Sequence, residues 1–347
     1  MSTGRPLSGI SVVDVSELLP GPFFTHCLVE LGASVVKVER PGPGDPLRVM
    51  RPGSYTAINH GKTVVTIDLK DPAGVQAVRE HLATADIFVE GSRPGVMERL
   101  GLGYGALSAD HPRLIYVSLS GFGQTGPLRH VPGHDLNYQA AAGLLALSGP
   151  DEGGPAPGVG LPTSDFAGAM YALSACLAAL LQRATIGRGQ HVDVSITDAI
   201  THWLNPISAD FQRNGVRTLE QQRYGRFAKP GYAVFQTRDG QWLAVGALES
   251  HFRQRLLAAL ELTPGEPEPG TDRVQQATAL NNRIAQRFAQ LDAERALELL
   301  NEHDVPVSEV VAPTDVPDTE NSRARGLFVE VDGLKVARFP VRLEGMD

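Results

Sequence analysis

Gly9-Ile10-Ser11-Val12-Val13-Asp14-Val15 is an apolar, β-branched run of strand length. Pro20-Gly21-Pro22 then breaks the chain, and Phe23 to Leu31 carries helical apolar spacing. Gly32 suits the C-terminal end of that helix, and Ser34-Val35-Val36-Lys37-Val38-Glu39 is a second β-rich run. This order is a β-α-β unit. Two strands joined through a helix run parallel, with a right-handed crossover, which removes most all-β and all-helical folds at once.

The alternation continues. Strands are expected at Thr63–Leu69, Ile87–Val89, Leu114–Ser118 and His191–Ser195. Pro72 to Ala85 has helical periodicity, and Asp165 to Ala184 reads as a long apolar core helix ended by Gly187-Arg188-Gly189. The pattern predicts a Rossmann-like, doubly wound α/β domain. Its first β-α turn does not fit Gly-x-Gly-x-x-Gly, which disfavours a nicotinamide or flavin enzyme. The strand-end pair Glu39-Arg40 is more suggestive, since an arginine there can bind a ribose phosphate, although a surface charge in a loop explains it equally well.

After Asn205 the texture changes. Residues 205–230 are polar and basic, consistent with a connector. Tyr232–Thr237 and Gln241–Gly246 flank Asp239-Gly240 as a hairpin, followed by helices at His251–Leu262, Thr278–Gln290 and Asp292–Asn301, with a Pro/Gly/Glu-rich loop at 263–273. The expected organisation is a large domain over 1–204 completed by the tail 326–347, a linker at 205–227, a small α+β domain at 228–312 and a return linker at 313–325. In the tail, Leu327–Val331 and Leu334–Leu343 have strand character. Two long connectors suggest an extended or interlocked dimer.

Glycine (37) and proline (25) make up about 18% of the 347 residues, against a usual ~12%, so turns and close backbone approaches are frequent. A hydrophobic content of 42% excludes a disordered chain. The net charge of −8 argues against nucleic acid or an anionic membrane as partner. Cys27 and Cys176 make neither a disulfide framework nor a cysteine zinc site, so a reducing, cytoplasmic setting is expected. Met1 to Pro6 lacks an apolar signal region, and no uninterrupted apolar run has membrane-spanning length.

No nucleophile elbow, Walker loop or His-Glu-x-x-His helix occurs. Three segments remain as candidates. In Gly133-His134-Asp135-Leu136-Asn137-Tyr138, His134 precedes a helix expected to run through Leu147. The positive end of a helix dipole favours an uncharged imidazole, a usable general base. The plain alternative is Asp135 as an N-cap and His134 as a loop residue. In Ser164-Asp165-Phe166-Ala167-Gly168, Asp165 either caps the long helix or lines a pocket. In Gly246-Ala247-Leu248-Glu249, Glu249 ends an apolar strand, where solvent exposure is the bland account.

The chain resembles the family III CoA-transferase (CaiB/BaiF) group over nearly its whole length. The matching segments are Pro20-Gly21-Pro22, Val38-Glu39-Arg40-Pro41, Ile67-Asp68-Leu69-Lys70, Arg93-Pro94-Gly95-Val96, Ser120 through Pro127, and Gly187-Arg188-Gly189-Gln190. The group contains both CoA transferases and racemases. The three candidate segments, with Glu90-Gly91-Ser92-Arg93, are most similar to α-methylacyl-CoA racemases. One departure is His60 in Asn59-His60-Gly61-Lys62, where the family usually has arginine; another is 263–325, which reproduces the racemase C-terminal segment poorly.

The resemblance implies His134 and Asp165 as a proton-transfer pair, with Glu249 supporting His134. It implies CoA contacts from Arg40, Ile67, Asp68, Leu69, Lys70, Arg93, Gly133, Asp135, Asn137 and Tyr138. It further implies an acyl-CoA substrate that carries its own CoA, no metal or separate cofactor, and a homodimer. Two helix N-termini, before Leu136 and after Asp165, are expected to offer N–H groups to an enolate oxygen. The alternative activity is CoA transfer through an aspartyl-CoA thioester on Asp165.

Overall fold

The computed structural model describes the chain except residues 1–3, 150–153, 159, 227, 264, 266–268 and 344–347. The start of the Met1–Pro6 stretch, most of the Pro/Gly/Glu-rich part of the 263–273 loop and the end of the tail therefore lie outside the described residues. The chain divides into two units: residues 1–149, 155–210 and 320–347, and residues 150–154 with 211–319.

The first unit holds a six-stranded parallel sheet: β1 (Ser11–Asp14), β2 (Ser34–Glu39), β3 (Thr63–Thr66), β4 (Ile87–Glu90), β5 (Ile115–Ser120) and β6 (His191–Ser195). Their spatial order is β3-β2-β1-β4-β5-β6. The chain builds outward from β1 in one direction, then returns to build outward in the other, as a doubly wound fold does. β4 and β5 are buried at every position, because helices cover both faces of a parallel sheet. One core layer joins Phe24, Leu28, Ile87, Val117 and Leu173, and the other joins Val13, Val38, Leu82, Phe88 and Leu107.

The long helix spans Thr163–Ile186 and packs against β5, β6 and the helix Pro20–Glu30. It is the one helix among the described residues long and apolar enough to cross a membrane, and Ala169, Ala172, Leu173 and Cys176 on it are buried in the core. The second unit has a three-stranded antiparallel sheet of β7 (Tyr232–Gln236), β8 (Trp242–Gly246) and β9 (Val307–Glu309). Helices Ser250–Ala259, Arg273–Phe288 and Ala293–Glu302 cover a core of Phe235, Leu243, Leu256, Ile284, Phe288 and Leu300.

Several sequence expectations need correction. The 205–227 stretch is largely helical: one helix runs Ile196–Arg213, and a second, Leu219–Arg223, is capped by Thr218. Ile200, Leu204, Ile207 and Phe211 recur at helical spacing, and Pro206 forfeits one N–H without stopping the helix. β3 ends at Thr66 rather than Leu69, because the Asp68 carboxylate accepts the Lys70 N–H at 2.9 Å and turns the chain. The third helix of the second unit starts at Arg273, where Asp272 accepts the N–H groups of Val274 and Gln275 at 2.9 Å each.

The return stretch 313–325 carries a 3₁₀ turn, Val316–Asp318, and a short helix, Glu320–Ala324. The tail forms a two-stranded sheet, β10 (Phe328–Val331) with β11 (Leu334–Ala337), the second strand stopping at Ala337 rather than Leu343, and Phe339 packs on the first unit's core. The helix that follows His134 stops at Ala141. Gly143, at φ 88°, breaks it before a separate turn at Leu145–Leu147.

Candidate active site

The switch point of the sheet lies between β1 and β4, where the chains leaving two neighbouring strands diverge. That is where a doubly wound fold opens a crevice at the carboxyl ends of its strands. A cleft of about 430 Å³ occupies this place. Residues of the Ser16–Gly21 loop follow β1 into its wall, Gly91 to Pro94 follow β4, and Ser120 at the end of β5 continues into Gly121 and Phe122. His134, Asn137, Tyr138 and Asp165 line it as well.

His134 sits at the N-cap of the helix Asp135–Ala141 with extended backbone, and its N–H donates to Asn137 Oδ1 at 3.0 Å. Its side chain is exposed to the cleft. Asp165 lies in the first turn of the helix Thr163–Ile186, whose N-cap is Pro162, so it is not the cap the sequence allowed. The cap comes from Asp135. Its carboxylate accepts the Ser164 N–H at 2.7 Å, the Asp165 N–H at 3.3 Å and the Ser164 hydroxyl, while Gln139 donates to its other oxygen at 2.6 Å. One carboxylate thus ties the start of the long helix to the helix that carries His134.

Two effects raise Asp165. Burial comes first and the adjacent Asp135 carboxyl second; together they lift it from the ordinary 3.8 to about 7. The ring of Tyr138 is pressed between two glycines. A Cβ on Gly121 would come within 2.2 Å of it, and one on Gly133 within 2.7 Å. Its hydroxyl donates to the Gly133 carbonyl, and burial holds the phenol up at about 12.

The loop from Ser16 to Gly21 rests on buried charges. Lys37 and Asp45 form a fully buried pair at 2.9 Å; Lys37 also donates to the Ser16 carbonyl at 2.9 Å. Asp45 accepts the N–H of Leu18, which is held at φ 65°. Asp14 receives the Ser16 and Thr25 hydroxyls and stands 3.5 Å from Lys62.

The sequence candidates therefore divide. The structure brings His134, Asp165, Arg93, Gly133, Asn137 and Tyr138 to one cleft. Asp135 is turned away from it, into the helix cap. Arg40 is outside the lining; it pairs with the cleft residue Glu17 at 3.1 Å and donates to the Gly44 carbonyl. Ile67, Asp68, Leu69 and Lys70 also lie outside it: Ile67 and Leu69 pack on the core, and Asp68 bonds to the Lys70 N–H. Glu249 belongs to the second unit, just ahead of the helix Ser250–Ala259, and is not a strand residue. The expected enolate donors after Asp165 are also corrected: the first of them, the Phe166 N–H, goes to the Pro162 carbonyl at 3.1 Å, and Asp135 takes the Ser164 and Asp165 N–H groups ahead of it.

Sequence reasoning missed Ser120. It ends β5, is 7% exposed, lines the cleft, and its hydroxyl has no hydrogen-bond partner. A buried, unpaired hydroxyl at a cleft wall is a ready hydrogen-bond donor for a ligand. Its sequence signal was its place at the head of the Ser120–Pro127 segment.

The comparisons with known proteins agree with this architecture. The model of CoA-transferase family III matches residues 7–347. The chain belongs to that family. It is 32% identical to mouse succinyl-CoA:glutarate CoA-transferase, over 97% of this chain and 79% of the relative. It is also 32% identical to human alpha-methylacyl-CoA racemase, over 97% of this chain and 86% of the relative. A CaiB/BaiF family protein from Brucella suis superposes with a TM-score of 0.86 at 29% identity, covering 98% of this chain and 93% of that one. The family is enzymatic and contains both transferases and a racemase, at like similarity to this chain.

Proposed function

We propose that this protein epimerises the α-carbon of 2-methyl-branched acyl-CoA thioesters, as an α-methylacyl-CoA racemase does. The observation that carries the reading is the pairing of His134 with Asp165 on one cleft, the latter held near pH 7 by burial. A proton must leave one face of the α-carbon and return on the other. Two proton carriers, an imidazole and a carboxyl, one on each face, serve both directions with roles exchanged.

In this reading the thioester enters the cleft with its α-carbon between the His134 imidazole and the Asp165 carboxyl. One removes the proton as the other supplies one, through an enolate. The Ser120 hydroxyl supplies a hydrogen bond to the developing enolate oxygen. Arg93, exposed on the cleft wall, offers a cation to the CoA phosphates. CoA travels as part of the substrate, and the chemistry calls for no metal or redox group. The expected setting is the cytoplasm, and the expected assembly a homodimer.

Transfer of CoA between carboxylic acids is the second reading, favoured by the relatives that carry transferase names. One incubation separates the two. A 2-methylacyl-CoA is held in D₂O with the enzyme and no free acid. Deuterium at the α-carbon supports epimerisation. No exchange, followed by CoA movement once an acceptor acid is added, refutes it in favour of transfer.

A further inference from the structure

A second constellation of side chains lies apart from the cleft. His26 and Glu30 are four residues apart on the helix Pro20–Glu30, so they share one face of it. His60 follows the last residue of the helix Pro52–Asn59. One ligating atom from each of the three lies within 4.8 Å of the others. His60 Nε2 stands 3.9 Å from Glu30 Oε1, and the two imidazole rings are 4.3 Å apart. None of the three lines the cleft.

Two further observations point to a ligand. His26 is 6% exposed, yet its Nδ1 has no hydrogen-bond partner, an uncommon state for a buried polar atom. His60 Nδ1 lies 3.2 Å from the Thr56 carbonyl. A hydrogen bond there fixes the ring and leaves Nε2 with its lone pair directed to Glu30, the outer-shell arrangement that orients metal-binding histidines. Glu30 is held likewise, accepting the Phe339 N–H at 3.1 Å.

We propose that His26, Glu30 and His60 form a divalent-metal site, with zinc as the ion that suits two imidazoles and one carboxylate. That donor set leaves a fourth position for water. Zinc–ligand bonds of about 2.1 Å place tetrahedral ligands roughly 3.4 Å apart, so ligand atoms lying within 4.8 Å of one another need to close by at most about 1.4 Å. The nearby Lys62 ammonium opposes a cation, but it is occupied by Asp14, the Pro22 carbonyl, Thr25 and Asn59. The ion would clip the helix whose first residues, Pro20 and Gly21, wall the cleft to the end of the helix Pro52–Asn59. Its role is to hold the wall, not to act on substrate.

The test uses the whole chain, stripped with a chelator and titrated with zinc chloride by calorimetry, with metal content read by mass spectrometry. The expected result is one zinc per chain, a rise in Tm on zinc addition, and at least about tenfold weaker binding in His60→Arg and in Glu30→Gln. Circular dichroism checks that each variant is folded; if His60→Arg is not, Glu30→Gln decides. The proposal is overturned if the wild-type chain shows no saturable uptake, or if the folded variants bind zinc as the wild type does.

Discussion

Asp135 Oδ1 accepts the backbone N–H of Ser164 at 2.7 Å, so the helix bearing His134 supplies the cap of the helix bearing Asp165. The same carboxyl lies close enough to Asp165 to raise it. Asp135 is thus a positioning residue twice over, through geometry and through charge.

Replacing Asp135 by asparagine keeps an acceptor for the Ser164 N–H and removes the charge. Burial, the larger cause, stays, so Asp165 falls from about 7 but remains above its ordinary value. The expected result is that the Asp165 limb of the kcat/KM profile against pH moves lower by a fraction of a unit to about one unit. Asp135→Ala in addition loses the cap, at about 1 kcal/mol in urea unfolding. An unmoved limb in a folded Asp135→Asn protein contradicts the coupling.

The raised Asp165 also makes a stability prediction. Between its unfolded value near 3.8 and its folded value of about 7, the native chain holds a proton that the unfolded chain has lost. Stability contributed by this group is therefore full below that window, declines as pH rises through it and stays reduced above. Asp165→Asn carries no such proton. It should gain on the wild type across the window by on the order of 1–2 kcal/mol, a value discounted because the cleft is open to water. Melting temperatures of both proteins from acid to mildly alkaline pH measure the difference, and parallel curves would contradict it.

Lys37 and Asp45 are both fully buried beneath the Ser16–Gly21 loop. Asp45→Ala leaves the Lys37 ammonium without its counter-charge and frees the Leu18 N–H. A loss of about 3–5 kcal/mol in denaturant unfolding is expected. A loss below about 1 kcal/mol would mean that the pair does not hold the loop.

Large apolar side chains stand in the open on two helices of the first unit: Leu181, Ile186 and Trp203 are 76%, 52% and 48% exposed. With the dimer that the family resemblance implies, sedimentation equilibrium should give twice the 37.1 kDa chain mass. A single-chain mass at micromolar concentration would contradict that expectation.

Much of this was legible in the sequence, for physical reasons. β-branched runs broken by Pro20-Gly21-Pro22 and Gly32 gave away the parallel sheet, because period and punctuation are local signals. His134 and Asp165 were visible through motif resemblance, and both line the cleft. What was hidden depends on contacts across the fold. Asp135 as the cap of a helix that begins 28 residues later leaves no local trace. Arg40 reads as a phosphate contact by its strand-end position, yet pairs with Glu17. The helix through Pro206 has the texture of a connector in sequence, because polar residues between its apolar positions mask the period.

The most direct measurement follows deuterium into each enantiomer of a 2-methylacyl-CoA separately, in the wild type, His134→Ala and Asp165→Ala. Two groups on opposite faces predict that the wild type exchanges and interconverts both enantiomers. Each variant should lose interconversion by at least about a hundredfold and retain exchange with one enantiomer only, the opposite one in the two variants. Interconversion at wild-type rate in either variant would contradict the account.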